Sequence, residues 1–293
     1  MFYYSLQLKP DEQKSLNIFI GMKKSFRSKK LEKEDMMRTN KVKELWKQGK
    51  VPTVAWLDTA DTYIAEIMAN VGFDVLLLDM QHGMAIGPDR AALWLQTVST
   101  TDTMPMVRVP WNEPFFIQWV LDAGAYGVVV PLVNSREEAA KAGGACRYPP
   151  GGYRSAGANR ARLYGGIDYF KQANKEIICL VQVEDINTVA RVEELADAPG
   201  IDGFYVGPSD LAITMGLGPA AYRENTKHGE ACRRVLDIAT SHGLIAGIHC
   251  MSPQEVLQRT AEGFMFCPAI CGVGALAIAA NAALQEVRGG NMK

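Results

Sequence analysis

The sequence has no excess of charge of either sign. Lys and Arg number 31 against 32 Asp and Glu, a formal net charge of −1. No global basic field is available to hold nucleic acid or an anionic membrane surface. The one basic run, Lys23 to Lys30, is interrupted by Ser25, Phe26 and Ser28 and reads as a solvated tail. Long apolar runs are missing too: no window holds the ~18 uninterrupted apolar residues of a bilayer-crossing helix. Nor is there a secretory pattern, because Asp11 and Glu12 come early and Leu16 to Met22 is too short and too polar for a signal core. Cysteine is sparse and dispersed: six residues, Cys146, Cys179, Cys232, Cys250, Cys267 and Cys271, in a chain of 293. That spacing argues against a disulfide framework and for a reducing, cytoplasmic setting. Cys267 and Cys271 form a CxxxC pair with no second Cys or His pair after it, so they read as buried thiols, not zinc ligands. Histidine is scarcer still, with four residues, which excludes a His-rich zinc cage. No GxGxxG follows the first strand-like run, which weighs against a dinucleotide site.

What is present is apolar and regularly spaced. Hydrophobic residues make up 48% of the chain, enough for a sizeable core. Residues 1–40 stand apart: they are rich in Lys, Ser and Glu, lack core periodicity and read as an accessory or disordered N-terminal extension. Asn40 is placed to cap a helix starting near Lys41, where a single domain running over 41–293 is expected to begin. Eight short apolar runs follow, at 53–57, 75–79, 106–109, 127–132, 177–183, 203–206, 245–248 and 265–267, each trailed by a helix-like stretch. The runs do not alternate with polar residues, as befits parallel strands buried on both faces. Eight βα units predict an α/β fold of the closed TIM (β/α)8 barrel type, with an open doubly wound sheet as the structural alternative.

In a parallel barrel the chemistry collects where the strands end. The second run ends Asp79-Met80-Gln81-His82-Gly83, the third Val107-Arg108-Val109, the fifth Gln182-Val183-Glu184, and the sixth Gly207-Pro208-Ser209-Asp210. A His, an Arg, a Glu and an Asp from four strand ends would converge on one mouth. Glu184 and Asp210 are candidate metal ligands: two carboxylates brought together there repel unless a cation or a shared proton intervenes. Helix capping is the plainer alternative for both. An all-oxygen site with open positions suits Mg²⁺ or Mn²⁺. His82 has the pKa range for proton transfer at neutral pH. Arg108 in an apolar frame needs an anion, either an internal carboxylate or a substrate carboxylate or enolate oxygen. The remaining histidines, His228, His242 and His249, read as structural or surface residues; His249, which ends the seventh run, is the least settled of them. The amides of Ser209 and Asp210, at a helix start, could receive an anion.

These segments, taken in order together with Arg147-Tyr148-Pro149-Pro150-Gly151-Gly152-Tyr153-Arg154, resemble the HpcH/HpaI aldolase family, the metal-dependent class II pyruvate aldolases, from about residue 40 to the end. The resemblance implies a TIM barrel assembled as a trimer or hexamer, with the last helix swapped onto a neighbour. It implies a divalent metal (Mg²⁺ or Mn²⁺, with Co²⁺ as a further option) held by Glu184 and Asp210, with His82 as the catalytic base. It also implies that Asp122 pairs with that histidine and that Arg108 steadies the keto and enolate oxygen. Gln182 and the amides of Ser209 and Asp210 would then hold the pyruvate. The implied reaction joins pyruvate to an aldehyde, or cleaves the resulting 4-hydroxy-2-oxo acid, with small molecules as the only partners besides other copies of the chain. Two stretches depart from the family pattern. Gln81 stands where members carry Glu, and residues 266–273 lack the acidic residue usual near there, which would reshape the aldehyde pocket. The rival readings are a CoA-ester lyase, an oxaloacetate decarboxylase or macrophomate-synthase-like enzyme of the same superfamily, and a non-catalytic metabolite-binding barrel.

Overall fold

The helix expected after Asn40 runs over Lys41–Lys47, and the Asn40 side chain caps it by accepting from the Val42 N–H at 3.1 Å. The same amide donates to the carbonyls of Tyr126 and Glu176, at 3.2 and 2.8 Å, just before two strands begin. Trp46 Nε1 donates to the Met265 carbonyl at 2.8 Å. These bonds fasten the helix across the end of the barrel at which the strands start. The computed structural model describes residues 37–84, 87–219 and 222–290; positions 1–36 of the expected extension lie outside them.

Eight parallel strands follow, β1 (Val54–Leu57), β2 (Val75–Asp79), β3 (Met104–Arg108), β4 (Gly127–Val130), β5 (Ile178–Val183), β6 (Gly203–Val206), β7 (Ile245–Ile248) and β8 (Pro268–Cys271). Their order in the sheet is β7-β6-β5-β4-β3-β2-β1-β8. Every residue of β1 to β6 is buried, because the barrel interior covers one face and the surrounding helices the other. The expected TIM-like fold is therefore observed, with two local differences. β3 begins two residues early and takes in Pro105, whose carbonyl accepts from Tyr126 N–H at 2.8 Å while its missing N–H is simply not used. The eighth strand lies just after the run expected at 265–267. Met265 and Phe266 meet β7, through a Gly247–Phe266 bridge and hydrogen bonds of 2.8 and 3.0 Å, whereas Pro268–Cys271 pairs with β1. Pro268 looks like a terminator in sequence, but at the first position of a strand it costs no ladder bond.

The helix-like stretch after the fifth run is two short helices, Ile186–Val189 and Val192–Ala196. Two further helices, Asn159–Gly165 and Tyr169–Glu176, fill the passage between β4 and β5 and were not foreseen. The last helix, Gly272–Gly290, packs mainly on β1 and β8 and leaves Leu276, Ile278, Leu284 and Val287 exposed. Among the described residues no helix is long and apolar enough to cross a membrane, and all six cysteines are free thiols.

Candidate active site

The ends of β2, β3, β5, β6 and β7 surround a cavity of about 170 Å³. His82, Arg108, Gln182, Ser209 and Asp210 all line it, and Glu184 stands beside it. Five residues expected at the mouth from sequence are thus found around one hollow.

Arg108 is buried, and its guanidinium lies 4.8 Å from the Trp56 ring. It makes a two-pronged pair with Asp79, in which Nε donates to Oδ1 at 2.9 Å and Nη2 to Oδ2. Asp79 Oδ1 also accepts the amides of Gln81 and His82, at 3.0 and 3.1 Å, and Oδ2 accepts from Trp56 Nε1 at 3.3 Å. Burial works to raise the Asp79 carboxyl, but the hydrogen bond and charge of Arg108, the His82 amide and Trp56 outweigh it and hold the group below its ordinary range. One buried carboxylate therefore fixes both the guanidinium and the loop that carries His82. The sequence reading had left open whether Arg108 has an internal partner, and Asp79 is that partner.

Glu184 follows β5 and is 2% exposed. Its Oε1 accepts from the Leu132 N–H at 2.9 Å and its Oε2 from Gln182 Nε2. Leu132 adopts φ 54°, a left-handed conformation that costs a bulky residue about 1–2 kcal/mol, and in it presents its N–H to this carboxylate. Burial and then the charge of Asp210 raise the Glu184 carboxyl, against the Leu132 and Gln182 hydrogen bonds and the charge of Arg108. Asp210 is exposed in the first turn of the Pro208–Thr214 helix, next to Ser209, where amide N–H groups point out along the helix axis. Gly207, before that helix, has no room for a side chain: a Cβ would lie 2.6 Å from Glu184 Oε2 and 2.9 Å from Gln182 Nε2.

This donor set fits a divalent metal. The charge of Asp210 stands close enough to the buried Glu184 to raise that glutamate's cost of ionisation, and the nearby cation, Arg108, is already engaged by Asp79. Gln182 Oε1, buried at the same place, has no hydrogen-bond partner. The described residues hold no group of three or more His, Cys, Asp or Glu arranged for a metal. Two carboxylates are nonetheless the protein share that Mg²⁺ and Mn²⁺ accept when waters and substrate oxygens supply the rest.

The expected pairing of Asp122 with His82 is not made within the chain. Asp122 ends the Pro114–Asp122 helix, which leads into β4, so it lies at the end of the barrel opposite the mouth. Its Oδ1 accepts from Arg154 Nη2 at 2.7 Å. Arg154 is 1% exposed, donates to the Tyr169 hydroxyl at 3.0 Å and lies 4.7 Å from the Tyr148 ring. A cation buried that deeply requires a carboxylate, and Asp122 serves it.

His249, left as structural in the sequence reading, lines the cavity. Its position at the end of β7 was the available signal. Its Nδ1 is 2.9 Å from the Tyr205 hydroxyl, and its ring lies edge-on to Trp56 with centroids 5.0 Å apart. Burial, then the charge of Arg108, push its pKa down to about 4, so it is neutral. His228 is structural, as expected: it is wholly buried, and its Nε2 lies 2.8 Å from the Pro208 carbonyl, which anchors the turn carrying Asp210.

Comparison with known proteins gives the family. Residues 53–267 match the family profile described as HpcH/HpaI aldolase/citrate lyase. A hydroxypyruvate/pyruvate aldolase of Rhizorhabdus wittichii is 34% identical over 249 residues, covering 85% of this chain and 99% of the relative. A 5-keto-4-deoxy-D-glucarate aldolase of Escherichia coli is 36% identical over 226 residues, covering 75% of this chain and 85% of the relative. The crystal structure of an HpcH/HpaI aldolase/citrate lyase family protein from Burkholderia cenocepacia superposes with a TM-score of 0.78 at 32% identity, over 85% of this chain and all 100% of the other. This chain belongs to the HpcH/HpaI aldolase/citrate lyase family and is a carbon–carbon lyase.

Proposed function

We propose that this protein is a divalent-metal-dependent aldolase that cleaves or forms a 4-hydroxy-2-oxo acid, with pyruvate or a close analogue as the enolate partner and an aldehyde as the other. The observation that carries the reading is the convergence of Glu184 and Asp210 beside one small cavity that His82 and Arg108 also line. Glu184 and Asp210 would hold Mg²⁺ or Mn²⁺, with Co²⁺ as a substitute. When bound, the ion supplies Lewis acidity that lowers the pKa of the carbon next to the keto group.

The chain's own groups do the rest. The first-turn amides at Ser209 and Asp210 receive the carboxylate of the 2-oxo acid. Arg108, held flat by Asp79, faces the keto oxygen and takes up negative charge as it becomes an enolate oxygen. Gln182 packs against the same end of the substrate. In cleavage, His82 removes the proton of the C4 hydroxyl and the C3–C4 bond breaks. The aldehyde departs, and the electron pair remains on the enolate. His82 then returns that proton to C3 to complete the 2-oxo acid, and addition runs these steps in reverse, with His82 taking the proton from the methyl carbon.

The same reading extends to assembly and setting. The exposed apolar residues of the Gly272–Gly290 helix would be covered by a second copy, with the helix swapped between subunits of a trimer or hexamer in the cytoplasm. The barrel domain starts at about residue 41.

The test is pyruvate release from a small panel of 4-hydroxy-2-oxo acids, with protein stripped by chelator and then resupplied with Mg²⁺, Mn²⁺ or Co²⁺. Activity that appears only with metal is expected. Activity retained after stripping, or covalent trapping by borohydride with pyruvate, would overturn the reading.

A further inference from the structure

We infer that Leu132 is a positioning residue: its backbone N–H, held on Glu184 by a left-handed conformation that a leucine rarely adopts, fixes that carboxylate for the metal. Leu132 is not among the residues lining the cavity, so it acts through Glu184. The inference rests on the reading of Glu184 as a metal ligand and adds to it a residue outside the ligand set on which metal affinity depends.

Among the described residues two that are not glycine have positive φ, Leu132 and Asn225, both at 54°. Asparagine tolerates that region and leucine does not, so Leu132 is the one that needs a cause. Its flanks supply the means. On one side β4 ends at Val130. On the other, Asn134 is tied at three atoms. Its N–H donates to Glu138 Oε2 at 2.6 Å, its Oδ1 accepts from Thr188 Oγ1 at 2.9 Å, and its carbonyl accepts from Arg191 Nη2 at 3.0 Å. With both flanks held, the relaxed alternative is a flip of the Pro131–Leu132 peptide plane. That flip would turn the Pro131 carbonyl to where the N–H now stands, against a carboxylate, so the strained form persists.

The purpose lies at the end of β5. Leu132 N–H donates to Glu184 Oε1 at 2.9 Å, and the next N–H, that of Val133, donates to the Gln182 carbonyl at 3.3 Å. Two successive amides of the loop after β4 thus face one strand end, as paired N–H groups do in an anion-binding turn. Gln182 Nε2 holds the other carboxylate oxygen, Oε2. Each oxygen has one fixed donor and keeps a lone pair, so the group is oriented without being used up. Packing alone gives no reason for a left-handed leucine, whereas a carboxylate that must be held in one orientation does.

The test compares Mn²⁺ affinity by calorimetry, with a melting curve to show that each variant is folded. Leu132→Pro has no N–H and a φ of about −65°, so affinity should fall by roughly 10–100-fold, the scale for losing a group that orients a ligand. Leu132→Asn keeps the N–H, tolerates the left-handed region and should bind within about threefold of the parent. Should the proline variant fail to fold, Leu132→Val replaces it. Valine is the closer match to leucine in packing but opposes positive φ, so this variant should bind Mn²⁺ more weakly than Leu132→Asn. The opposite order, or parent-like affinity in folded Leu132→Pro, overturns the role of Leu132. Glu184→Gln is measured alongside. Parent-like affinity there overturns the metal reading itself, whereas a loss there with Leu132→Pro unmoved overturns only the inference drawn from Leu132.

Discussion

Glu184 stands directly over Gly207, so that a single added carbon there would sit 2.6 Å from its carboxylate oxygen. The glycine is where the β6 strand turns into the helix bearing Asp210, so the two carboxylates approach each other across a spot that tolerates no side chain. Gly207→Ala must push either Glu184 or the turn aside. Overpacking of this kind costs about 1–3 kcal/mol. Metal affinity measured by calorimetry should fall at least tenfold if the displaced carboxylate is a ligand, as proposed, and a melting curve should show a smaller stability loss. Unchanged metal affinity would mean that the pair does not form the site.

Glu184 also sets up an opposition between stability and function. Its carboxyl is raised above the ordinary value by burial, then by Asp210. A carboxyl raised on folding binds its proton more tightly in the native state than in the unfolded one. Native stability in the metal-free protein therefore falls as pH rises from the unfolded pKa through the folded one. Glu184→Gln removes that cost. The metal-free variant should melt higher than the metal-free parent at pH 7, by roughly 2–4 °C for each kcal/mol recovered. The order should reverse once metal is added, because only the parent gains from binding. Differential scanning calorimetry with and without chelator reads both. A lower melting temperature for the metal-free variant would contradict the argument.

How much of this was legible in the sequence depends on where each signal resides. Glu184, Asp210, Arg108 and His82 each lie at or within a few residues of the end of a mostly apolar run, so a strand-end rule found them without any coordinates. The barrel was legible for the same reason, since both faces of β1 to β6 are buried and the runs stay apolar. Asp79 was given no role because a carboxylate at the end of a run has no visible partner until β3 is placed beside β2, with Asp79 opposite Arg108. His249 needed its third-dimensional neighbours, Tyr205 and Trp56, which are far away in sequence. The steric demand at Gly207 cannot be read from one chain at all, since glycines in turns have many causes. The run at 265–267 stops short of Pro268, whose effect depends on which strand position it occupies.

Asp79 and Arg108 are paired by geometry as well as by charge. Arg108→Lys keeps a cation but loses the planar fork that engages both oxygens of Asp79, and the cation over Trp56 changes shape. Because Asp79 also caps the amides of Gln81 and His82, the change reaches the candidate base through the loop. A fall in kcat of roughly 10²-fold is expected, the scale seen when a preorganised oxyanion donor is lost. Asp79→Asn should lower kcat too, while its effect on the KM for the 2-oxo acid separates loop displacement from loss of Arg108 contact. Full activity in Arg108→Lys would remove the guanidinium from the chemistry.

His82 gives the sharpest test of proton transfer, because exchange of the pyruvate methyl protons with deuterated solvent needs no aldehyde. His82→Ala should slow that exchange by ~10²–10⁴, the contribution of a positioned base, while metal binding at Glu184 and Asp210 stays intact. Proton NMR follows the exchange directly, and calorimetry checks the metal. Asp122→Ala belongs in the same experiment, since the carboxylate sits with Arg154 and not at the cavity of its own chain. Removing it strands a guanidinium that is 1% exposed, which should destabilise the fold by roughly 2–4 kcal/mol, less than a fully buried pair because Asp122 is partly solvated. If His82→Ala left methyl exchange at the parent rate with metal bound, the base would have to be sought elsewhere on the cavity wall.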